Sequence, residues 1–88
     1  GDTEGIVNYG LSIKNIRFAA IFMENAKDKV IRISLRSKNN FDVNTFSKKI
    51  FGGGGHINAA GAISKKNLED TIDYFLKSIN NYKKLLNS

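Results

Sequence analysis

The chain contains no cysteine and no proline. Without cysteine, neither a disulfide nor a thiolate metal site can hold it together, which suits a reducing, cytoplasmic setting. A single histidine, His56, is too little for an imidazole-based metal cluster. No apolar run approaches the roughly 20 residues of a membrane span. The first residues carry no charged-then-apolar leader of the signal-peptide type, so no membrane partner is expected. Carboxylates are sparse: Asp2, Glu4, Glu24, Asp28, Asp42, Glu69, Asp70 and Asp73 are scattered, and no Asp-rich metal cluster forms. No internal repeat is visible.

The 88 residues, 41% of them hydrophobic, suffice for one small domain spanning residues 1–88. The abrupt start leads us to expect a domain cut from a longer chain. Fourteen basic residues against eight acidic ones give a net charge of +6. Residues 1–41 hold seven basic and four acidic groups and residues 42–88 hold the same numbers, so there is no basic tail. The balance suits an anionic partner such as nucleotide, nucleic acid or membrane surface. A lysine-rich surface that merely keeps the protein in solution fits the charge equally well.

Segment Glu4–Ile13 reads as either a short helix or an irregular strand, with Gly5 and Gly10 against regularity. Ile16–Met23, rich in Ile and Phe, reads as a strand. Asn25–Asp28 is a polar turn. Lys29–Ser37 alternates, with Ile31, Ile33 and Leu35 on one side and Arg32, Ser34 and Arg36 on the other, so the two strands should form an antiparallel pair. Asn39 and Asn40 should end the second. Asp42 has the character of a helix N-cap, and Phe41 and Phe46 have the spacing of a hydrophobic staple. Val43, Phe46 and Ile50 make one apolar stripe of a helix that stops near Phe51. Ala59–Ser64 fits a short strand. Asn67 caps a long helix with Glu69 and Asp70 in its first turn and Leu68, Ile72, Phe75, Leu76, Ile79 and Leu86 on one face. Lys83 and Lys84 fall in its last turns, where the dipole prefers cations. The expected class is α/β (α+β): a single domain with a small mixed sheet and flanking helices.

Residues Gly52–Gly61 read GGGGHINAAG. Four consecutive glycines are costly to order and imply backbone close to something else, or angles closed to other residues. Such a run can form a nest of N–H groups for an anion, with His56 as a further donor. A Walker A loop would need Lys-Ser or Lys-Thr after the last glycine, and His56-Ile57 stand there instead. A dinucleotide fingerprint would need a strand before the glycines, where a helix is expected. A flexible linker is the plain alternative. Arg36, at the end of SLRS (Ser34–Ser37), could grip phosphate in bidentate fashion or simply be an exposed strand-end arginine. Arg32 and Lys38 could enlarge the same patch or be solvated. No nucleophile-and-base pair can be argued, and Ser34 and Ser37 are the hydroxyls that one would need.

FGGGGHINAAG, at Phe51–Gly61, together with SLRS and the opening TEGIVNYGLSI, Thr3–Ile13, resembles the C-terminal DHH-associated domain of the DHH phosphoesterases, in the nanoRNase and pAp-phosphatase branch that includes exopolyphosphatase-related proteins. The resemblance covers nearly the whole chain. It implies a substrate-binding half in which Gly53, Gly54, Gly55 and His56 hold phosphate and Arg36 grips substrate, with no catalytic residue. It implies a separate N-terminal domain with two divalent metals, usually manganese, because the Asp-His motifs that bind them are missing here. The implied substrates are short oligoribonucleotides, linear dinucleotides or 3′-phosphoadenosine 5′-phosphate (pAp), and the isolated domain would be inactive. The implied partners are the substrate and the DHH domain, with a homodimer of the full-length protein also open. Two other readings stay open: a stand-alone nucleic-acid-binding module, and an interaction domain pairing through its terminal helix.

Overall fold

The computed structural model describes residues 3–13, 16–38 and 41–86. Strands β1 (Thr3–Ile13), β2 (Ile16–Asn25) and β3 (Val30–Ser37) are followed by helix α1 (Val43–Phe51), strands β4 (Gly54–His56) and β5 (Ala59–Ser64), and helix α2 (Leu68–Leu86). The strands form one sheet in the order β1-β2-β3-β5-β4. The α/β class stands, and within it the sheet expected to be mixed is antiparallel at all four pairings.

Alternation explains the sheet. Phe18, Ala20 and Phe22 of β2, Ile31, Ile33 and Leu35 of β3 and Ala60 of β5 are all buried on one face. Both helices cover that face. Phe46 of α1 and Phe75 of α2 are fully buried against it. Phe18 meets Phe46 edge-on at 5.4 Å between ring centroids and stacks on Phe75 at 5.9 Å, while Phe22 meets Phe75 edge-on at 5.1 Å. Each such phenylalanine contributes roughly 1.5–3 kcal/mol by burial, so the core is chiefly aromatic. Replacing Phe46 by alanine would cost about 3–5 kcal/mol, a large share of the stability of so small a domain.

The segment readable as a short helix or an irregular strand is a strand, irregular only near its start. Val7 and Tyr9 of β1 pack on the core, and Tyr9 meets Phe22 edge-on at 6.3 Å. Gly10 does not interrupt it, because pairing with β2 runs without a register shift from Ile6 to Ile13, whereas Gly5 lies where the register shifts between Thr3 and Ile6. The β2–β3 turn occupies residues 26–29, and Lys29, expected to open β3, is a left-handed turn residue with φ of 53°. A second difference is β4, which makes a strand of three residues read as loop.

The helix ends follow their caps. Asp42 accepts hydrogen bonds from the Thr45 N–H and the Thr45 hydroxyl, both at 3.0 Å. Phe41 and Phe46 meet as the staple, 6.3 Å between centroids. Gly52 closes α1 in the left-handed conformation at φ 71°. Asn67 accepts from the Asp70 N–H at 2.8 Å. Ile79 is buried with Phe75, and Leu68, Ile72 and Leu76 pack at the core's edge. Asn39 and Asn40, and the side chains of Lys83, Lys84 and Leu86, lie outside the described residues.

Candidate functional site

The second face of the sheet carries no helix. Cross-strand partners project to the same face, so the register identifies what stands there. One row crosses the whole sheet: Gly10 pairs Ala19, Ala19 pairs Arg36, Arg36 pairs Ala59, and Ala59 pairs His56. Arg36 and His56 therefore stand on the same face with one small residue between them. Two strand spacings separate their backbones, about 9.6 Å. Both side chains are exposed.

The Arg36 guanidinium donates through Nη1 to the Leu35 carbonyl oxygen at 2.9 Å. That bond uses one of its five N–H donors and fixes the fork at the strand end. Further along the same face of β3 stands exposed Arg32, and on β2 exposed Arg17. The next row holds Asn8, Ile21, Ser34, Gly61 and Gly54. Among the described residues, no carboxylate projects from this face. Its potential is accordingly positive.

The glycines serve several purposes. Gly52 supplies the left-handed cap. At Gly53 a Cβ would lie 2.2 Å from the Gly61 carbonyl oxygen and 2.6 Å from Ser47 Oγ. At Gly55 it would lie 2.6 Å from both the Ala59 carbonyl oxygen and Ala60 Cα. Helix α1 and strand β5 thus approach so closely that the connecting backbone has no room for side chains. The buried Ser47 hydroxyl donates to the Gly61 carbonyl at 2.8 Å and ties the two together. The Gly53 N–H donates to the Ser47 carbonyl at 3.1 Å and the Gly55 N–H to Asn44 Oδ1 at 2.9 Å. In this conformation these amides already have acceptors, unlike the open nest suggested by the glycine run alone. Gly54 pairs with Gly61, and a Cβ there would meet Asn44 and Lys48 of α1.

His56 is the last residue of β4, ahead of the Ile57–Asn58 turn. That turn is fastened to the end of β3. The Ser37 N–H donates to the Asn58 carbonyl at 3.1 Å, and the Asn58 side-chain amide donates to Ser37 Oγ at 3.0 Å. Ser37 Oγ in turn donates to the Phe41 carbonyl at 2.6 Å, and the Val43 N–H donates to the Ile57 carbonyl at 2.8 Å. Ser37 is therefore a structural hydroxyl rather than a free nucleophile. This network couples the strand that carries Arg36 to the turn that follows His56.

The family model of the DHHA1 domain matches residues 1–85. The chain belongs to the DHHA1 domain family. DHHA1 domains are associated with DHH phosphoesterases. Among solved structures, the chain resembles an exopolyphosphatase-related protein from Bacteroides fragilis, with a TM-score of 0.74 and 36% sequence identity. That match covers 88% of this chain and 22% of the other, so the DHHA1 domain spans about a fifth of the larger protein. Among curated proteins nothing matches.

Sequence reasoning missed Arg17 in this DHHA1 domain, as well as the Ser37–Asn58 fastening. Arg17 was recoverable, because it shares the parity of Ala19 opposite the buried Phe18 and Phe22. The fastening joins residues 21 positions apart and left no local signal. Among the described residues, no three potential metal ligands converge. The described donors do not fit a two-metal centre, and no chemical step is assigned to a metal held by them. Nor is any helix among the described residues long and apolar enough to cross a membrane.

Proposed function

We propose that this DHHA1 domain is the substrate-binding half of a metal-dependent DHH phosphoesterase that hydrolyses short oligoribonucleotides, linear dinucleotides or pAp. The observation that carries the reading is the shared row of Arg36 and His56 on an uncovered, carboxylate-free face. Arg36 offers a planar fork to phosphate oxygens and His56 a ring N–H beside it. Ala59 and Gly61 keep the ground between and beside Arg36 and His56 low, and Gly53 lets the loop lie close to β5. The partner is a separate DHH domain, which would supply both divalent metals, in a cytoplasmic setting. Alone, the DHHA1 domain binds weakly and turns over nothing.

Titration with pAp or a three-nucleotide RNA, followed through the backbone amides, tests this. The Gly52–His56 and Arg36 signals should move together, and Arg36→Ala or His56→Ala should weaken binding about tenfold or more. Still amides in that loop at millimolar ligand, with shifts elsewhere, would place the site wrongly. Affinity that climbs steadily with RNA length and falls steeply with salt would favour a stand-alone nucleic-acid-binding module instead.

A further inference from the structure

We infer that Gly10, Arg17, Ala19 and Lys38 form a second anion subsite beside Arg36, which takes a second phosphate borne by the same nucleotide or by the next one in a short oligomer. The inference rests on the reading of Arg36 and His56 as the first phosphate grip. An open basin of about 460 Å³ lies on the β1 side of Arg36 and is lined by Gly10, Arg17, Ala19, Arg36 and Lys38 among others. The backbone sets this arrangement: the Lys38 N–H donates to the Arg17 carbonyl at 2.9 Å, which extends the β2–β3 ladder and holds the two residues opposite each other. Both share the parity of Arg36. The Arg17–Lys38 row is two residues along the strands from the Ala19–Arg36 row, about 6.6 Å. That is close to one nucleotide step along an extended single strand. No carboxylate lines the basin.

The floor supplies an independent observation. A Cβ built at Gly10 would meet nothing within 4 Å, and its φ is not in the left-handed region. Neither packing nor backbone strain requires glycine there, unlike at Gly53 and Gly55. What its bareness does is keep the basin open beside Ala19. Filling it is therefore a clean test, because Gly10→Val suits a strand and should leave the fold intact or firmer.

The protein is titrated by calorimetry with adenosine 5′-monophosphate, with pAp and with the dinucleotide pApA. At least one of the doubly phosphorylated ligands should bind about tenfold more tightly than the monophosphate. A gain with pAp assigns the second phosphate to the same nucleotide, and a gain with pApA alone assigns it to the neighbouring one. Arg17→Ala should remove that gain while the monophosphate affinity changes by no more than about twofold. Gly10→Val should remove it too, with an unchanged or raised melting temperature. Equal affinity for all three ligands, or a parallel loss of all three in Arg17→Ala, overturns the second subsite. If Arg36→Ala still abolishes monophosphate binding in that case, the first grip stands alone. Absence of binding by every ligand overturns both.

Discussion

Arg36 and His56 share a single cross-strand neighbour, Ala59, which pairs with the first from β3 and with the second from β4. The gap between the two side chains is therefore as wide as it is because the residue between them is small. Ala59→Leu would place a bulky side chain between them on a face where the protein packs nothing else. The fold should hold, since strand positions on an open face accept large side chains. Phosphate affinity should fall about tenfold or more, as the ligand loses simultaneous contact with both groups. Calorimetry alongside a melting curve checks this. Wild-type affinity in Ala59→Leu would mean that the two side chains do not act on one ligand.

The glycines should rank by what a Cβ would strike. Gly53→Ala and Gly55→Ala push a methyl group onto backbone atoms within 2.6 Å or less, so each should destabilise by about 1–3 kcal/mol or more. Gly52→Ala meets no atom but forces an L-residue to φ 71°, at about 1–2 kcal/mol. Gly54→Ala meets Asn44 Oδ1 at 3.3 Å, a contact that a shift of a few tenths of an ångström relieves while straining its bond from the Gly55 N–H, and should be the mildest. Urea denaturation of the four variants gives the order. If Gly54→Ala proves the most damaging, the close approach of α1 to β5 is misdescribed.

Element types were legible where periodicity and caps agreed. The alternation of Ile31, Ile33 and Leu35, the Asp42 and Asn67 caps and the Phe41–Phe46 staple all read directly from spacing. Strand β1 was not, because its outward positions include Ile6, 60% exposed, which blurs the alternation with half-buried Val7 and Tyr9. Strand β4 was illegible for a different reason. Glycine has no strand propensity, and Gly54 and Gly55 are extended only because β5 lies beside them. For the site, Arg36 and His56 could be named from residue type and setting. Their common row depends on a register that no local pattern encodes. The demand for glycine at Gly53 and Gly55 is likewise a tertiary fact, although the run itself advertised that some close approach existed.

Stability should depend on pH at both ends of the range, through two groups that sense each other. The Thr45 N–H donating to Asp42 holds that carboxyl below its ordinary range, and the partial desolvation of the cap only offsets this. A depressed carboxylate contributes stability that is present above about pH 4 and lost as pH falls through the folded value. Burial pushes the Tyr82 phenol up, and the Asp42 charge adds to it. A raised phenol contributes below about pH 10, and that share is lost as pH rises through its folded value. Asp42→Asn keeps a capping oxygen but no charge. It should flatten the acid limb of the melting-temperature profile and lower the Tyr82 titration, read by tyrosinate absorbance. Identical acid limbs in wild type and variant would remove Asp42 as their source.

The Ser37–Asn58 contact should behave as a unit. Ser37→Ala removes the hydroxyl that accepts from the Asn58 side-chain amide and donates to the Phe41 carbonyl. Loss of these two hydrogen bonds costs about 1–3 kcal/mol, equivalent to a fall of several degrees in melting temperature for a domain of this size. Asn58→Ala removes the other end of the same bond. The double variant should therefore be less destabilised than the sum of the two, by about 0.5 kcal/mol or more. Because the Ile57–Asn58 turn follows His56 directly, both single variants should also move the His56 ring signals, whereas a core change such as Ile79→Val should leave them in place. Strict additivity, together with unmoved His56 signals, would reduce the contact to surface decoration. Coupling with moved signals would establish it as the fastening that holds His56 at its place in the row with Arg36.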